Sequence, residues 1–432
     1  MKNIAIIGSG ISGLTSAFLL SKKHNITLFE KNSTLGGHTA TVDIEYQGEQ
    51  HAIDTGFIVF NDRTYPNFLA LLEHIGVDKK ETEMSFSVVN RDSGMEYNGH
   101  TLNTLFSQRK NVFSFSFWHL ITDIVRFNRV CKKLYSEDDI DLSLTLGDFL
   151  DKQDFSEFFA QHYILPMGAA IWSTSLLQMK AFQLRFFIRF FHHHGLLNVI
   201  DRPQWYVIPE GSRSYIEPLI KSFKQSIELN SHIDSVIRER NGATIRFTDQ
   251  SERHFDEVVF ACHSDQALAL LADPTFTELE VLGAMRYSNN EVVLHADEQL
   301  LPRYKRSWAS WNYQLTEDRT RPASVTYNMN ILQGIESKHT FCVSLNQTEY
   351  IEPSKVIRHF TYAHPIFDQQ SQAAQRRRDE ICGKHHTHYV GAYWYNGFHE
   401  DGVKSAVDVG SRFDCQLESE SNIVKPLSLC NE

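Results

Sequence analysis

A glycine-rich turn between a short apolar run and a helix near the start of the chain constrains the fold more than any other feature. The apolar run covers residues 4–7, and Gly8, Gly10 and Gly13 follow in the spacing G-x-G-x-x-G. The first glycine permits a tight turn, the second lets a ligand approach the backbone, and the third lets the helix pack close to the strand. The pattern predicts a strand–turn–helix unit whose helix N-terminus faces the phosphates of a dinucleotide.

The residues after the turn complete a βαβ unit that ends in an acidic residue. The sequence predicts a helix over 11–23 and a second strand over 26–29, and Glu30 follows that strand. Glu30 lies 22 residues after Gly8, where an acidic side chain accepts hydrogen bonds from a ribose of the cofactor. An acid at this position separates a dinucleotide site from a chance glycine pattern.

A second glycine pair indicates which dinucleotide is bound. Gly36 and Gly37 follow shortly after Glu30, and residues 54–56 read Asp-Thr-Gly. These motifs resemble the superfamily of FAD-dependent amine oxidases, phytoene desaturases and protoporphyrinogen oxidases. In that superfamily the glycine pair contacts the FAD phosphates and ribityl chain, and the later glycine turn lines the flavin. The resemblance implies FAD as the cofactor; the alternative is that Gly36 and Gly37 only shape a loop.

The resemblance also implies an α/β fold of the monoamine oxidase or desaturase type, in which a Rossmann-like FAD-binding domain carries an inserted α+β substrate domain. A length of 432 residues favours two domains. We expect residues 1–80, 203–285 and 380–415 to form the FAD-binding domain. A helical block over 81–202 and strand patterns over 286–379 are assigned to the substrate domain, and 412–432 to a polar tail.

The C-terminal segment resembles the part of this superfamily that returns to the flavin. We expect a last strand over 389–394, a loop over 396–402, and a helix beginning at Val403 whose N-terminus favours the reduced flavin. The strand contains Gly391-Ala392 where relatives carry Gly-Asp, so Glu400 and Asp401 are candidates for the missing carboxylate. The resemblance further implies an adenine contact at Ile233 and a strand end at Ala261. The full set of implied cofactor residues is Gly8, Gly10, Ile11, Ser12, Gly13, Glu30, Lys31, Gly36, Gly37, His38, Thr55, Gly56, Phe57, Ile233, Ala261, Gly391, Glu400, Asp401, Gly402 and Val403.

Four side chains are candidates for the reacting side of the flavin: Trp172, Trp394, Tyr395 and His399. His399 is a candidate proton acceptor because imidazole titrates near neutral pH, and a hydrogen-bonded loop histidine is the alternative. Trp394 and Tyr395 resemble one element of the aromatic cage of amine oxidases. Simple packing of aromatic side chains is the alternative for this pair.

Two aromatic-rich segments, 111–130 and 181–197, point to an oily substrate or to a membrane surface. Phe, Leu and Ile are interspersed there with Arg and His, so each helix would have an apolar face and a basic face. Such a helix can lie in a bilayer interface with its cations near anionic headgroups; a core helix with solvated arginines is the alternative. The best candidate for a membrane span, 112–125, contains Asp123 and is too short.

The overall composition restricts the partners and the compartment. The net charge of −11 argues against nucleic acid, and the hydrophobic content of 42% is that of a globular protein. The glycine-rich strand begins at residue 3, where no room remains for a signal peptide, and the six cysteines lack a regular spacing. These features predict free thiols in a cytoplasmic protein. No metal is expected, because the successive histidines at 192–194 would point in different directions on a helix.

Most of the chain also resembles one bacterial subgroup, the NAD/FAD-binding proteins found with cyclopropane-fatty-acid-synthase-like methyltransferases. The leading hypothesis is a cytoplasmic FAD-dependent oxidoreductase, peripheral at the inner membrane, that takes a hydride from an apolar substrate such as a lipid acyl chain. The alternatives are a flavin amine oxidase and a non-catalytic, flavin-bound partner of a lipid methyltransferase. The motifs that carry this resemblance are GFIVFN at 56–61, YPN at 65–67, PMGAAIWS at 166–173, GSR at 211–213, TYNMN at 326–330, HP at 364–365 and GFHEDG at 397–402.

Overall fold

Two large β-sheets and a block of helices organise the chain. The computed structural model describes residues 1–137, 140–141, 143–198, 201–316 and 318–417. The strands, in chain order, are β1 (Asn3–Ile7), β2 (Asn25–Phe29), β3 (Thr41–Tyr46), β4 (Glu49–Asp54), β5 (Phe60–Asn61), β6 (Lys80–Thr82), β7 (Phe86–Asn90), β8 (Met95–Asn98), β9 (Trp205–Val207), β10 (Ile227–Glu228), β11 (Ile233–Glu239), β12 (Gly242–Phe247), β13 (Glu252–Phe255), β14 (Glu257–Phe260), β15 (Tyr287–His295), β16 (Trp311–Leu315), β17 (Val325–Asn328), β18 (Cys342–Leu345), β19 (Val356–Pro365) and β20 (Thr387–Tyr389). The α-helices are α1 (Ile11–Leu20), α2 (Pro66–Ile75), α3 (Leu102–Leu105), α4 (Phe115–Glu137), α5 (Leu146–Lys152), α6 (Glu157–Phe159), α7 (Leu165–Trp172), α8 (Leu176–Lys180), α9 (Leu184–His193), α10 (Ile216–Ile220), α11 (Ser264–Leu270), α12 (Phe276–Gly283), α13 (Met329–Leu332), α14 (Gln369–Gln375), α15 (Arg378–Ile381) and α16 (His399–Ser411).

The first large sheet is parallel and has the order β10–β2–β1–β14–β20. In its centre, Ile4 lies between Ile26 and Glu257 on the neighbouring strands. The residues of β1 and β14 form almost continuous buried runs, as expected for a parallel sheet that is covered by helices. All ten residues of α1 are buried against this layer. The predicted α/β fold with a Rossmann-like sheet is therefore confirmed.

The second large sheet has the order β19–β15–β18–β17–β16–β7–β8. Its pairs are antiparallel except for β7 and β16, which run parallel. Helices α4 to α9 pack beside it around a separate core in which Phe127, Phe159 and Phe187 are fully buried. The first sheet takes its strands from residues 3–29, 227–260 and 387–389, and the second from 86–98 and 287–365. The strands are thus grouped as in the predicted domain segments, whose boundaries stay a prediction.

The structure corrects the predicted elements at the C-terminal end. The strand expected over 389–394 ends at Tyr389, and Ala392–Trp394 form a 3-10 helix. The last helix begins at His399 rather than at Val403. It starts earlier because the Asp401 carboxylate accepts the backbone N–H of the residue before the helix and so caps its first turn.

The two aromatic-rich segments differ in burial. Segment 181–197 contains α9, whose apolar face is packed in the core through Phe187, Phe190 and Phe191, so the core-helix alternative holds there. Segment 111–130 contains most of α4, whose first residues carry exposed aromatic rings. No helix in the described part of the chain is long and apolar enough to cross a membrane. Of the expected polar tail, residues 412–417 are anchored by the buried Cys415, and 418–432 lie outside the described residues.

A buried ion pair connects the three-stranded sheet β11–β12–β13 to helix α12. The Arg238 guanidinium on β11 donates to the Glu278 carboxylate on α12, and the two side chains are 4% and 1% exposed. The hydroxyl of Tyr389, at the end of β20, also donates to Glu278, at 2.7 Å. Burial alone would raise the pKa of Glu278, but the hydrogen bonds from Arg238 and Tyr389 hold this pKa below its ordinary value.

We expect Glu278→Ala to lower the free energy of unfolding by about 3 kcal/mol, because it leaves the buried Arg238 guanidinium with only the half-exposed Asp273 carboxylate and removes the acceptor of the Tyr389 hydroxyl. Glu252 provides the matched control, since its ion pair with Arg246 is roughly half exposed, and Glu252→Ala should cost about 1 kcal/mol or less. Urea unfolding of the two variants measures both values. Equal effects of the two substitutions would contradict a structural role for the buried pair.

Candidate cofactor site

The three glycines of the first turn have different surroundings. Gly8 has a φ of +108°, in the region that favours glycine. A Cβ on Gly13 would lie 1.9 Å from the Gly8 carbonyl oxygen, so α1 can approach the turn only with glycine at this position. A Cβ on Gly10 would meet no atom within 4 Å. The space beside Gly10 is therefore open, whereas the space at Gly13 is filled by protein.

The open space lies at the N-terminus of α1, which begins with Ile11 and Ser12. The first N–H groups of a helix have no partner within the helix and carry partial positive charge. The N-cap residue of α1 is Gly10, which has no side chain to cap these groups. A phosphate fits beside these unpaired N–H groups, in the open space that a Cβ on Gly10 would partly fill. The residues present thus fit the diphosphate of a dinucleotide.

Glu30 is buried at the end of β2, next to the turn. Its carboxylate accepts hydrogen bonds from the N–H and hydroxyl of Ser9 (3.0 and 2.6 Å) and from the backbone and side-chain N–H groups of Asn32 (2.9 and 2.8 Å). The Ser231 N–H donates to the Glu30 carbonyl oxygen, which brings Ile233 to the same end of the site. Glu30 therefore also fixes the shape of the turn, and its contact with a ribose stays a prediction.

Two further predicted residues lie around the turn. The Ala261 N–H, directly after β14, donates to the Ile7 carbonyl at 2.8 Å, which places Ala261 against Gly8. Lys31 is exposed to solvent. The structure therefore brings Ala261 to the glycine turn and leaves Lys31 on the surface.

The second glycine pair lies against the first turn. The Gly36 N–H donates to the Ser9 carbonyl at 3.1 Å, and Gly36 and Gly37 have φ values of +116° and +58°. A Cβ on Gly37 would lie 3.2 Å from the Gly10 Cα. Larger residues would push the two loops apart, so the glycine pair borders the open space at the N-terminus of α1.

His38 follows this pair and lies in a cluster of aromatic rings. Its ring centroid is 5.9 Å from those of His263 and His364 and 5.2 Å from that of Tyr362. Burial, together with repulsion from the other two histidines, lowers the pKa of His38 to about 3, so the ring is neutral. Its Nε2 is buried and has no hydrogen-bond partner among the described residues. A polar cofactor group beside the glycine pair would satisfy this nitrogen.

Three members of this ring cluster are absent from the sequence prediction. His263 follows β14 at the carboxyl end of a parallel strand, where ligands bind in such folds. Tyr362 and His364 are two residues apart on β19 and therefore lie on one face of the sheet. The His-Pro motif at 364–365 was the available signal, but it did not reveal that the second sheet reaches the glycine loop.

The loop over 54–57 packs under the same cluster. Burial raises the pKa of Asp54 to about 6, opposed by hydrogen bonds from neighbouring hydroxyl and N–H groups. The Thr55 hydroxyl lies 2.9 Å from the Tyr362 hydroxyl. A Cβ on Gly56 would lie 2.1 Å from the His38 carbonyl oxygen, so this close approach requires glycine. The loop therefore packs against the backbone of His38 and fixes its position.

His399, the predicted proton acceptor, is enclosed by protein. Its ring stacks on Phe57 with centroids 3.7 Å apart, and its Nε2 lies 2.9 Å from the Tyr215 hydroxyl. That hydroxyl also lies 2.5 Å from the Thr39 hydroxyl. Burial, with a smaller contribution from His38, lowers the pKa of His399 to about 3. These contacts are those of the hydrogen-bonded alternative, and the role of proton acceptor stays a prediction.

Glu400 and Asp401 are both turned toward backbone N–H groups. The Glu400 carboxylate accepts the N–H groups of Asn67 (3.0 Å) and Phe68 (2.8 Å), and so caps the N-terminus of α2. Asp401 accepts the N–H of Phe398 at 2.8 Å. Burial raises the pKa of Glu400 to about 8 and that of Asp401 to about 7. Both carboxylates therefore have partners within the protein, and their replacement of the missing Gly-Asp acid near the ribityl chain stays a prediction.

The N-terminus of α16 lies beside the N-terminus of α1. A Cβ on Gly402 would be 2.7 Å from the Ile11 Cγ2 and 3.1 Å from the Ser12 Oγ. Val403 is fully buried in the same contact region. The Gly391 N–H donates at 2.9 Å to a buried serine hydroxyl of α16. The returning segment thus reaches the glycine turn, although its carboxylates do not face it.

Trp394 and Tyr395 have their partners within the parallel-sheet half. The Trp394 Nε1 donates to the Tyr389 carbonyl at 3.0 Å, and its ring lies 5.4 Å from the Arg378 guanidinium. The Tyr395 hydroxyl bonds to the Asp408 carboxylate, more than two turns along α16. Both side chains pack in the core of the parallel-sheet half. These contacts are those of the packing alternative, and a role of this pair beside the flavin stays a prediction.

Trp172 belongs to a set of six packed rings that we call the aromatic cluster. Its ring centroid lies 4.7 Å from that of Phe190, and Phe190 lies 5.1 Å from Phe398, the residue directly before α16. The Trp172 Nε1 is buried and has no partner among the described residues. The aromatic cluster comprises Trp172, Phe182, Phe186, Phe190, Phe367 and Phe398.

Metal-ligating side chains are not grouped in the described ranges of the chain. No group of three or more His, Cys, Asp or Glu side chains is arranged there to hold a metal ion.

The residues that would hold FAD are the glycine turn, Glu30, the glycine pair with His38, and the loop ending at Gly56. Bound FAD would supply a hydride acceptor.

We expect Gly10→Ala to lower the affinity for FAD by roughly tenfold or more, because the new Cβ enters the open space at the N-terminus of α1. The apoprotein should stay as stable as the wild type, since Gly10 has a φ of −65° that alanine adopts without strain. Gly13→Ala is the contrasting variant, and it should lower the melting temperature of the apoprotein through the clash with Gly8. Flavin absorbance during FAD titration and thermal unfolding measure the two effects; full FAD affinity in Gly10→Ala would contradict the site.

We expect Glu400→Gln to change how stability depends on pH. A carboxyl group whose pKa rises on folding stabilises the protein at low pH, and this contribution is lost as pH rises toward the folded pKa. The advantage of the wild type over Glu400→Gln should therefore fall between pH 5 and about 8, by about 1.4 kcal/mol per pH unit. Urea unfolding across this range measures the difference. A constant difference would contradict the prediction, and Glu73→Gln, at an exposed position of α2, is the control.

Comparison with known proteins identifies the family. The family model of flavin containing amine oxidoreductases matches residues 11–329, well over half of the chain. A comparison with curated protein sequences finds no match. Among solved structures, the CLA-producing fatty acid isomerase of P. acnes has a TM-score of 0.69 at 15% identity, over 95% of this chain and 98% of that one. Cyclohexylamine oxidase of Brevibacterium oxydans IH-35A has a TM-score of 0.67 at 13% identity, over 96% and 99%.

Putrescine oxidase in complex with putrescine is also similar, with a TM-score of 0.68 at 12% identity over 96% of this chain and 99% of that one. At these identities the structural likeness shows a common fold. The family match covers the glycine turn from Ile11 onward and both halves of the molecule. The chain therefore belongs to the flavin containing amine oxidoreductases and is an FAD-dependent oxidoreductase of that family.

Proposed function

We propose that this oxidoreductase takes a hydride from an apolar substrate, and that the substrate is a lipid acyl chain. The observation that carries the proposal is the aromatic cluster, which extends from the helical block to the N-terminus of α16. That helix end lies beside the glycine turn expected to hold FAD. An apolar surface next to the cofactor favours a substrate that buries hydrocarbon.

The surroundings of the aromatic cluster are uncharged or already paired. His194 stacks on Phe190 with centroids 3.8 Å apart, and burial lowers its pKa to about 4, so it is neutral near pH 7. The carboxylate of Asp368, beside Phe367, binds Arg286 and caps α14. Glu400, two residues after Phe398, caps α2. None of these groups offers a free negative charge to a substrate ammonium.

The positions of Trp394 and Tyr395 also disfavour amine oxidation. Both rings are held in the core of the parallel-sheet half, where Arg378 lies over Trp394 and Lys404 over Tyr395, and both cations pair with Asp408. Ring faces that already contact a cation are not free to enclose a substrate ammonium. Relatives of similar fold include amine oxidases and a fatty acid isomerase, so the fold itself is compatible with either substrate class.

In this proposal the residues of the chain position the reactants and exclude water. The aromatic cluster holds the hydrocarbon, and its members displace water from one side of the site. The neutral rings of His38 and His399 keep positive charge away from the region next to the glycine pair. Desaturation would remove a hydride from one carbon, for which bound FAD would be the acceptor, and a proton from the adjacent carbon, which would pass to solvent, so that a C=C bond forms between the two carbons. Neither transfer is assigned to His38 or His399.

The test is anaerobic reduction of the purified, FAD-loaded protein. Phospholipid with methyl-branched acyl chains should bleach the flavin absorbance, whereas putrescine and cyclohexylamine should not. Bleaching by the amines alone would overturn the proposal in favour of a flavin amine oxidase. Bleaching by neither, together with co-purification of a lipid methyltransferase, would favour the non-catalytic partner.

We expect Phe398→Ala to slow bleaching by the branched phospholipid roughly tenfold or more, because an apolar contact at the end of the aromatic cluster is lost. Flavin content should stay unchanged. Phe158→Ala is the matched control, since this half-buried ring stacks on His162 elsewhere in the helical block. Equal rates in the two variants would contradict a substrate role for the aromatic cluster.

A further inference from the structure

A short stretch of the chain exposes an unusual number of large apolar side chains. Phe113 and Phe115 are 92% and 85% exposed, and Leu102 is 77% exposed. Val112 and Trp118 are each nearly half exposed. Isolated apolar side chains on a surface are ordinary, but five within residues 102–118 form a patch that calls for a partner.

The patch is held in a defined shape. A 3-10 helix, Arg109–Phe113, leads into α4, and the Trp118 Nε1 donates to the Val112 carbonyl at 2.8 Å. The Arg109 guanidinium donates to the Phe106 carbonyl at 2.9 Å and to the Asn103 side chain at 2.6 Å. The aromatic rings are therefore presented by hydrogen-bonded structure while their faces stay in solvent.

A second segment, distant in sequence, lies beside the patch. The Ser307 hydroxyl donates to the Ser107 hydroxyl at 2.6 Å, and the Glu96 carboxylate accepts the N–H groups of Arg303 and Tyr304 at 3.0 and 3.1 Å. These contacts place residues 303–306 next to α3 and the 3-10 helix. All four residues are exposed.

The two segments together are basic, although the protein as a whole carries a net charge of −11. Residues 102–118 and 303–306 include no Asp or Glu. Within the described residues, none of the cations forms an ion pair with an acidic side chain. The exposed cations of the two segments are Arg109, Lys110, Arg303, Lys305 and Arg306.

We propose that these two segments, which we call the basic aromatic edge, dock on the surface of an anionic lipid bilayer. Aromatic side chains are favourable at the level of the headgroups, and Lys and Arg are attracted to anionic lipids. An acidic protein is otherwise repelled by such a surface, so the concentration of cations around exposed aromatic rings matches this partner in charge and in polarity. The proposal does not depend on which substrate is oxidised.

The structure also limits how deeply this edge can insert. Farther along α4, Leu120, Phe127 and Cys131 are buried in the protein core. The outward face of that part of the helix is mostly polar, and Val125 is its one large exposed apolar side chain among the described residues. The helix therefore meets a membrane with its N-terminal end rather than along its whole length. The expected interface therefore differs from the predicted segment 111–130. It excludes residues 119–130 and includes residues 102–110 and 303–306.

The test is co-sedimentation of the FAD-loaded protein with two kinds of vesicle. Vesicles of phosphatidylcholine mixed with phosphatidylglycerol should bind the protein, and vesicles of phosphatidylcholine alone should bind it much more weakly. Added salt should weaken binding to the anionic vesicles. Phe113→Ser combined with Phe115→Ser should lower the partition coefficient roughly tenfold or more, because two exposed rings no longer enter the headgroup region.

Neutralising Arg303, Lys305 and Arg306 to Gln should also weaken binding and reduce its salt dependence. The matched control neutralises Lys221, Arg376 and Lys384, which are exposed elsewhere, by the same number of charges. Phe276→Ser, at a ring that is 74% exposed on α12, is the control for lost surface hydrophobicity. Both controls should bind anionic vesicles like the wild type.

Absence of binding to anionic vesicles, or equal binding by the edge variants and their controls, would overturn the proposal. Sedimentation velocity without vesicles tests the alternative that the edge binds a second copy of the chain. In that case the wild type would be a dimer, and the double variant Phe113→Ser with Phe115→Ser would be a monomer. That outcome without vesicle binding would also overturn the proposal. Bleaching by detergent-dispersed phospholipid reports on the proposed function separately, since the edge lies outside the aromatic cluster.

Discussion

The contact between the first and last helices of the parallel-sheet half is the interaction on which the site depends. Gly402 lets α16 approach Ile11 and Ser12 so closely that a single Cβ would clash. This contact brings the start of α16 to the glycine turn from the opposite end of the chain. Everything attached to that start follows: Phe398 reaches the aromatic cluster, and Glu400 reaches the N-terminus of α2.

Burial without compensating charge sets the electrostatic character of this region. The pKa values of His38, His194 and His399 are lowered by burial, and those of Glu400 and Asp401 are raised. All five shifts favour the neutral form of the group. This character agrees with the proposed hydrocarbon substrate, because an ammonium substrate would need a negative charge nearby.

The sequence allowed the glycine turn, the parallel sheet and the family to be predicted because these depend on local steric rules. Gly8 and Gly13 are required by backbone contacts within one βαβ unit, and such contacts leave a fixed spacing. The contacts of Glu400 could not be predicted, because its partners lie far away in the chain. The Glu400 carboxylate is used by Asn67 and Phe68, more than three hundred residues earlier, and no spacing rule reports that pairing.

The helical block connects the proposed membrane-docking surface to the proposed substrate site. One end of α4 forms the basic aromatic edge, while its middle packs through Phe127 on Phe187 of α9. The next ring along α9, Phe190, belongs to the aromatic cluster. A water-soluble amine would need neither an exposed aromatic edge nor an uncharged aromatic interior. A phospholipid has an anionic or zwitterionic headgroup and apolar chains, and the same block of helices presents a basic surface for the first and buried aromatic rings for the second.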